Sequence, residues 1–175
     1  MSKPQVARYG LLFFAFFSGE QNYLTLFMRA IRKKFGKITL ASDIYDCSVF
    51  TPYYNTEMGS PLFKQFALVE TPLSQEVLYK IKLWAVKFEM RNMKNGARCI
   101  NIDPGFLLPE NYLLLTCKPY SHRVYLRKGV YADLHALYDR ARKEYQPLPW
   151  SYQDYQTTLA RNFFLQARML LAVKG

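Results

Sequence analysis

Side chains that could do chemistry are concentrated between Asn101 and Asp133. The set combines carboxylates, cations, hydroxyls and an amide: Asn101, Asp103, Thr116, Lys118, Arg123, Tyr125, Tyr131 and Asp133. Strand alternation gives members that lie two residues apart a common face. A lysine and an arginine beside carboxylates can hold a phosphate or carboxylate, and arginine suits two-point contact. The pattern favours a pocket for a small anionic or phosphorylated ligand, in which Lys118 and Arg123 hold the anion.

Three residues are candidates for catalysis in such a pocket: Asp103, Asp133 and His122. The carboxylates could orient a ligand or act on a proton, and His122 could be a general acid or base. The alternative is structural. Arg123 and Asp133 would then form a cross-strand ion pair, and Asp103–Gly105 would form a tight turn.

The two histidines give weaker indications. The preferred hairpin register places His122 on the apolar face at a strand start, as a core or edge histidine. His135 falls on the polar face and could equally be exposed. A Ser121, His122 and Asp133 triad is disfavoured, because adjacent strand residues point to opposite faces. Two histidines also exclude a His-rich metal site.

A predicted loop contributes Tyr53, Tyr54 and Glu57, and loops often carry function. Tyr54 and Glu57 therefore join Asn101, Lys118, Arg123, Tyr125 and Tyr131 as candidate ligand-binding residues. Glu57, Asp103 and Asp133 could hold a divalent ion through oxygen ligands, but nothing in their spacing demands it. No metal site is predicted, and any cofactor is left open.

Hydrophobic spacing and turn residues predict the elements that position these side chains. They are a strand at Tyr9–Phe17, a helix at Glu20–Phe35 between a Ser18 cap and Gly36, an extended segment at Lys37–Phe50, a strand at Leu62–Glu70, a helix at Gln75–Met93 capped by Ser74, and a strand at Arg98–Asp103. This order predicts an α+β fold with a ferredoxin-like βαββαβ core and a mainly antiparallel sheet. Residues 1–175 are expected to form a single domain.

The remaining chain predicts a C-terminal extension of that core. It comprises a strand at Leu113–Thr116, a hairpin of His122–Leu126 with Val130–Leu137, and a helix at Tyr155–Val173. A three-residue hairpin loop that ends at Gly129 makes one face apolar. In that register Leu126 pairs with Val130, Val124 with Ala132, and His122 with Leu134.

The net charge of +11 supports a second interpretation. Basic clusters occur at Arg29, Arg32, Lys33, Lys34 and Lys37, and at Arg140, Arg142 and Lys143. Together with exposed tyrosines they could give sequence-tolerant RNA binding. A third interpretation is a structural or interaction protein whose tyrosine-rich surface meets a partner. The oligomeric state is left open.

Three widely spaced cysteines, without a CxxC pattern, argue against a disulfide framework or zinc site and suit small core residues. The apolar run Gly10–Phe17 lacks a small-residue cleavage site and is too short to span a bilayer. We therefore expect a cytoplasmic protein with no membrane partner.

Several segments together resemble one family of bacterial domains of unknown function, numbered four-four-one-six. The matching segments are Tyr9–Phe14, Ser18–Glu20, Lys34–Gly36, Tyr53-Tyr54, Glu57–Gly59, Asn101–Gly105, Lys118, Ser121–Leu126, Gly129–Asp133 and Pro147–Trp150. The chain departs from the family pattern at Asp133, where the family has Glu, and at Thr116-Cys117, where it has a run of threonines. The resemblance implies no established activity. A GTP-binding label sometimes given to members gains no support, since neither GxxxxGK[ST] nor GxGxxG is present.

Overall fold

The computed structural model describes residues 2–172, which form a mixed α+β structure with four α-helices and a curled, mainly antiparallel sheet. The strands are β1 (Tyr9–Ser18), β2 (Ile38–Ala41), β3 (Tyr45–Asp46), β4 (Phe63–Val69), β5 (Leu73–Ser74), β6 (Met93–Lys94), β7 (Ala97–Arg98), β8 (Asn101–Leu107), β9 (Asn111–Thr116), β10 (Val124–Arg127), β11 (Val130–Asp139) and β12 (Glu144–Pro147). The helices are α1 (Gln21–Phe35), α2 (Asn55–Met58), α3 (Leu78–Arg91) and α4 (Thr158–Ala172). Short 3-10 turns occupy Ser48–Phe50, Gln75–Val77 and Gln153–Gln156.

Ten of these strands form one sheet in the order β10-β11-β9-β8-β1-β4-β2, with β12 on β11, β3 on β4 and β5 on β1. The pairs along that path are antiparallel. Strands β6 and β7 form a separate small hairpin. The central position of β1 explains its continuous apolar sequence, because a central strand is buried on both faces.

The two faces of the sheet have separate cores. Leu12, Phe14 and Phe16 of β1 pack toward α1 and α3. The alternate residues of β1 pack toward α4, which buries Phe163 and Phe164 against them. The predicted C-terminal helix is therefore present, although its expected end at Val173 lies outside the described residues.

The predicted helices are present with shifted ends: α3 spans Leu78–Arg91 within the predicted Gln75–Met93, and α4 begins at Thr158 instead of Tyr155. Gly36, at φ 92°, ends α1 as predicted. Ser18 does not cap α1, because Glu20 is the N-cap residue. The Ser18 hydroxyl instead accepts from the Glu20 backbone N–H and donates to the Cys99 carbonyl. Ser74 does act as a cap, but for the 3-10 turn that precedes α3.

The segment Asp103–Gly105 lies inside β8, so the predicted tight turn is wrong. These residues pair with Ala15, Phe14 and Phe13 of β1. Gly105 is required there because a Cβ would lie 2.0 Å from the Phe13 ring. Pro104 and Gly105 resemble a turn in the sequence, but they lie where β8 approaches β1 closely.

The predicted hairpin is present with a partly different register. Val124 pairs with Ala132 as expected, but Arg127 rather than Leu126 pairs with Val130, because a bulge interrupts β10. His122 precedes β10 and does not pair with Leu134. All three cysteines were expected in the core, but only Cys47 is buried; Cys99 is partly buried, and Cys117, which follows β9, is exposed.

Candidate functional site

A cavity of about 420 Å³ opens on the α4 face of the sheet, beyond the N-terminal end of α4. Its walls combine aromatic rings with charged groups from distant parts of the sequence. The aromatic members are Phe17, Phe50, Tyr53, Tyr54, Tyr120, Trp150 and Tyr152, and the charged or titratable members are Lys64, Asp103, Lys118, His122, Arg123 and Asp154. The cavity therefore contains two of the three candidate catalytic residues and both predicted anion-holding cations.

The segment after β12 forms one wall by crossing β11. The indole of Trp150 donates to the Leu134 carbonyl over 2.8 Å, and the Ser151 hydroxyl donates to the His135 carbonyl. Tyr152 donates its backbone N–H to Nε2 of His135 over 3.1 Å. These bonds fix the rings of Trp150 and Tyr152 beside the ends of β9 and β10.

Asp133 is buried directly behind the cavity lining, where it binds Arg123. Its Oδ2 accepts from Nε of Arg123 over 2.9 Å, and both side chains are only 3% exposed. Burial alone would raise the pKa of Asp133, but His135 and Arg123 outweigh it and hold that pKa below its usual value. The carboxylate is therefore ionised at neutral pH. The Arg123–Asp133 ion pair expected under the structural alternative is present, although Arg123 precedes β10 and the pair is not a cross-strand pair within the hairpin.

Arg123 makes further contacts with the end of β9. Its Nη1 donates to the Lys118 carbonyl over 3.1 Å and approaches the Thr116 hydroxyl at 3.5 Å. The guanidinium carbon lies 4.4 Å from the centre of the Tyr120 ring. Arg123 therefore ties three segments together while it lines the cavity.

His122 and Arg123 both reach Asp133 although they are adjacent in sequence. Nε2 of His122 lies 3.5 Å from Oδ2 of Asp133. The predicted register, which placed His122 on the apolar face of the hairpin, was wrong because His122 and Arg123 both precede β10. The His122 ring stacks on Trp150, with ring centres 4.9 Å apart and planes at 18°.

His135 is completely buried, which corrects the expectation that it could equally be exposed. Burial lowers its pKa in spite of the nearby Asp133 carboxylate. Because Nε2 accepts the Tyr152 N–H, the ring proton lies on Nδ1, which faces Oδ1 of Asp133 at 3.9 Å. His135 is thus a neutral neighbour of the anionic carboxylate.

Lys118 lies at the mouth of the cavity. Its ammonium donates to the Tyr53 hydroxyl over 3.1 Å and sits 4.6 Å from the centre of that ring. The Tyr54 ring centre is 6.0 Å away. Among residues 2–172, no carboxylate lies within ion-pair distance of Lys118.

Lys64 and Asp154, which also line the cavity, form a buried ion pair. The two charged groups are 2.5 Å apart, and the Tyr45 hydroxyl also donates to Asp154 over 2.8 Å. Burial would raise the pKa of Asp154, but Lys64 outweighs it and the net pKa is lowered. The same burial, with Asp154 adding to it, raises the pKa of Tyr45 well above its ordinary value.

The other predicted carboxylates are held by separate partners. Asp103 accepts from Lys82 at 3.2 Å and from Asn101 at 3.0 Å. Glu57 forms two bonds of 2.6 Å with Arg98, which lowers the pKa of Glu57. Within residues 2–172, no group of three or more His, Cys, Asp or Glu side chains could hold a metal ion.

Four predicted ligand-binding residues lie outside the cavity lining. Glu57 and Asn101 belong to the Arg98 network, where Arg98 also donates to Asn101 over 2.9 Å. Tyr125 and Tyr131 contact each other on the β10–β11 hairpin, with ring centres 5.3 Å apart. The structure thus brings together Asp103, Lys118, Arg123, His122 and Tyr54, with Asp133 directly behind them.

Sequence reasoning missed Lys64, Asp154, Tyr120, Trp150 and Tyr152. Lys64 sits within an apolar strand and Asp154 within a polar turn, so neither position suggested the other. The one usable signal was Pro147–Trp150, a proline-rich segment with an aromatic residue that begins at the end of β12. Its contacts with β11 required the tertiary fold.

One comparison with known proteins identified a family. The model of the family described as Domain of unknown function (DUF4416) matches residues 8–170. No curated protein matches the chain, and no solved structure matches it. None of the helices in residues 2–172 is long and apolar enough to cross a membrane.

Proposed function

The chain belongs to the family Domain of unknown function (DUF4416), and because that description assigns no activity, we propose a function from the cavity itself. We propose that the cavity binds a small anionic ligand that carries a flat apolar group. A volume of about 420 Å³ falls within the range of small-molecule sites, which are mostly apolar with a few placed polar groups.

The observation that carries this proposal is the position of Lys118. It is a cation at the cavity mouth without a carboxylate partner among residues 2–172, and it is held over aromatic rings. An incoming anion would complete its charge pairing. The rings of Tyr53, Tyr54 and Tyr120 belong to the cavity lining and give a flat apolar group aromatic surface to pack against.

Arg123 supports the anion less directly than Lys118 does. Its Nε and Nη1 already serve Asp133 and the end of β9, so it mainly positions the wall. Its guanidinium still adds positive charge on the cavity side. Asp103, half-buried and lining the same space, is available to orient a hydroxyl or N–H of the ligand.

A thermal-shift titration with phenyl phosphate tests this function. At about 100 times the dissociation constant, a ligand stabilises the folded state by roughly 2.7 kcal/mol, a readable shift. We expect that shift in the wild type, and a much smaller one in Lys118→Ala. Lys87→Ala is the matched control, because it removes another exposed lysine charge, from α3. Equal shifts in all three proteins, or none, would overturn the proposal.

Sequence-tolerant RNA binding is the second candidate, favoured by exposed tyrosines beside cations. Tyr53 and Tyr120 are 64% and 52% exposed, and they lie beside Lys118 and Arg123 respectively. Stacking on such rings binds single strands, with affinity that falls steeply in salt. A short RNA that stabilises the protein only at low salt, with phenyl phosphate inactive, would favour this candidate.

The third candidate is a structural or interaction protein that binds another chain through the edge strand β10. Val124 is 67% exposed there and Leu126 is also exposed, so the apolar face of the hairpin is uncovered. Exposed strand edges with apolar side chains can pair with another chain. A defined oligomer that dissociates in Val124→Lys, with no response to phenyl phosphate or RNA, would support this role.

We also infer that β1, α1, β2, β4, α3 and β8 constitute a ferredoxin-like core. The antiparallel order β8-β1-β4-β2 and the shared core of α1 and α3 support this assignment.

A cytoplasmic location is our further proposal. It is supported by three free cysteines, since a reducing compartment keeps thiols unpaired.

A further inference from the structure

Charge balance in the cavity suggests which anion it prefers. Most charged groups along the wall are already paired with an opposite charge. The pairs are Lys64–Asp154 at 2.5 Å, Arg123–Asp133 at 2.9 Å and Lys82–Asp103 at 3.2 Å. Lys118 has no ion-pair partner among residues 2–172, although its charge also acts on the Glu57 carboxylate that Arg98 binds, so it supplies one positive charge to the cavity. A ligand with two negative charges would need a second.

His122 is the group placed to supply that second charge. Its side chain is partly exposed at the cavity, and its Nε2 is buried without a hydrogen bond at 3.5 Å from Asp133. Histidine is the side chain that ordinarily changes charge between about pH 5 and 8. Proton uptake would turn the long Nε2–Oδ2 approach into a charge-assisted hydrogen bond.

Charged and aromatic groups from several elements face His122. From β11, the Asp133 carboxylate attracts it, while His135 is neutral and contributes no charge. From the segment after β12, the stacked Trp150 ring offers an electron-rich face, and the Tyr120 ring lies 6.2 Å away. Arg123 opposes the proton, because its guanidinium binds the same carboxylate oxygen. An anion in the cavity would offset that opposition.

We propose that His122 takes up a proton when a dianion enters the cavity, so that the preferred ligands are phosphate monoesters rather than monoanions. Lys118 and protonated His122 then supply two positive charges to the two negative charges of the phosphate. Binding rests here on the proposed function, whereas the proton uptake is a separate property. No covalent bond to the ligand is formed or broken in this step.

Proton linkage can be measured by calorimetry with two matched probes. Phenyl phosphate is largely dianionic at about pH 7.5, since the second pKa of a phosphate ester is about 6. Benzenesulfonate has a similar shape and a single negative charge. Each is titrated in two buffers that differ in ionisation enthalpy, so that the difference in heat counts the protons exchanged.

We expect phenyl phosphate to bind with proton uptake and benzenesulfonate to bind more weakly without it. Phenyl phosphate affinity should rise as the pH is lowered from about 8 to 7, approaching tenfold per pH unit when one full proton is taken up. In His122→Gln the uptake should disappear, and the two probes should bind with similar affinity. Loss of stability in that variant would be detected by its unfolding temperature without ligand.

Three results would overturn the inference. Phenyl phosphate binding to the wild type without proton uptake would reject it and leave the proposed function standing. Uptake that persists in folded His122→Gln would assign the proton to another group. Failure of both probes to bind would reject the proposed function together with the inference.

Discussion

Two regions on the same face of the sheet contain the same kinds of aromatic side chain, but one is a packed core and the other is an open cavity. Under α4, the rings of Phe13, Phe66, Tyr112, Phe163 and Phe164 close into a packed cluster, here called the α4 core. Tyr112 and Phe164 stack with centres 4.0 Å apart. Beyond the start of α4, other aromatic rings surround an open cavity instead.

Charge pairs account for the difference. The α4 core is filled by ring edges and faces, whereas the cavity wall includes the buried ion pairs Lys64–Asp154 and Arg123–Asp133. Removing one partner of such a pair leaves an uncompensated buried charge, so we expect both partners to be needed in place.

Truncation in the α4 core is expected to have the largest effect. Phe164→Ala removes a fully buried ring that stacks on Tyr112 and meets Phe13 edge-on. The lost contacts and the cavity left behind should lower the free energy of unfolding by roughly 4 kcal/mol. Urea denaturation measures it. A loss below about 1 kcal/mol would mean that this region can collapse and that the contrast with the cavity is false.

Breaking a wall charge pair should cost slightly less. Asp154→Asn leaves Lys64 buried without its counter-charge, which should lower stability by about 3 kcal/mol. Glu110→Gln is the control, because it breaks the exposed pair with Arg8 and should change stability by less than about 1 kcal/mol. Similar losses in the two variants would contradict the structural role of the buried pair.

Larger side chains should destabilise the protein in the α4 core but not at the cavity lining. Ala167→Leu adds volume to the filled α4 core and should cost about 2 kcal/mol through overpacking. Gln153→Trp adds volume at the cavity lining, where it should change stability by about 0.5 kcal/mol or less. It should nevertheless abolish the phenyl phosphate shift. Retention of that shift would place the ligand elsewhere.

Acid should weaken the cavity wall first, through His135. Burial lowers its pKa below the ordinary 6.5, so the unfolded chain binds a proton that the folded chain refuses. The stability from this group is present above pH 6.5 and is lost as pH falls below it, by at most about 1.4 kcal/mol per pH unit. His135→Gln should flatten the stability curve below pH 6.5. An unchanged slope would assign the effect to another group.

Local patterning was enough to predict much of the fold. Alternation and helical spacing located β1, α1, α3, the hairpin and α4, because each carries its own apolar face. The sequence predicted a turn at Asp103–Gly105 because proline and glycine usually mark turns. The bulge in β10 and the approach of Pro147–Trp150 to β11 depend on distant segments, which no local pattern encodes.

The candidate site was predictable only in part. Lys118, Arg123 and Asp133 were found because they cluster within sixteen residues of sequence. His122 was misjudged because strand alternation was extended to a residue that precedes the strand. Lys64 and Asp154 are 90 residues apart and meet only through packing of the turn before α4 on β4.

A crystal structure of the protein with phenyl phosphate tests the central claim most directly. We predict the phosphate within hydrogen-bond distance of Lys118 and on the His122 side of the cavity, with the phenyl ring against the tyrosines of the wall. Binding at a surface site, or a cavity without ligand at saturating phenyl phosphate, would contradict the account.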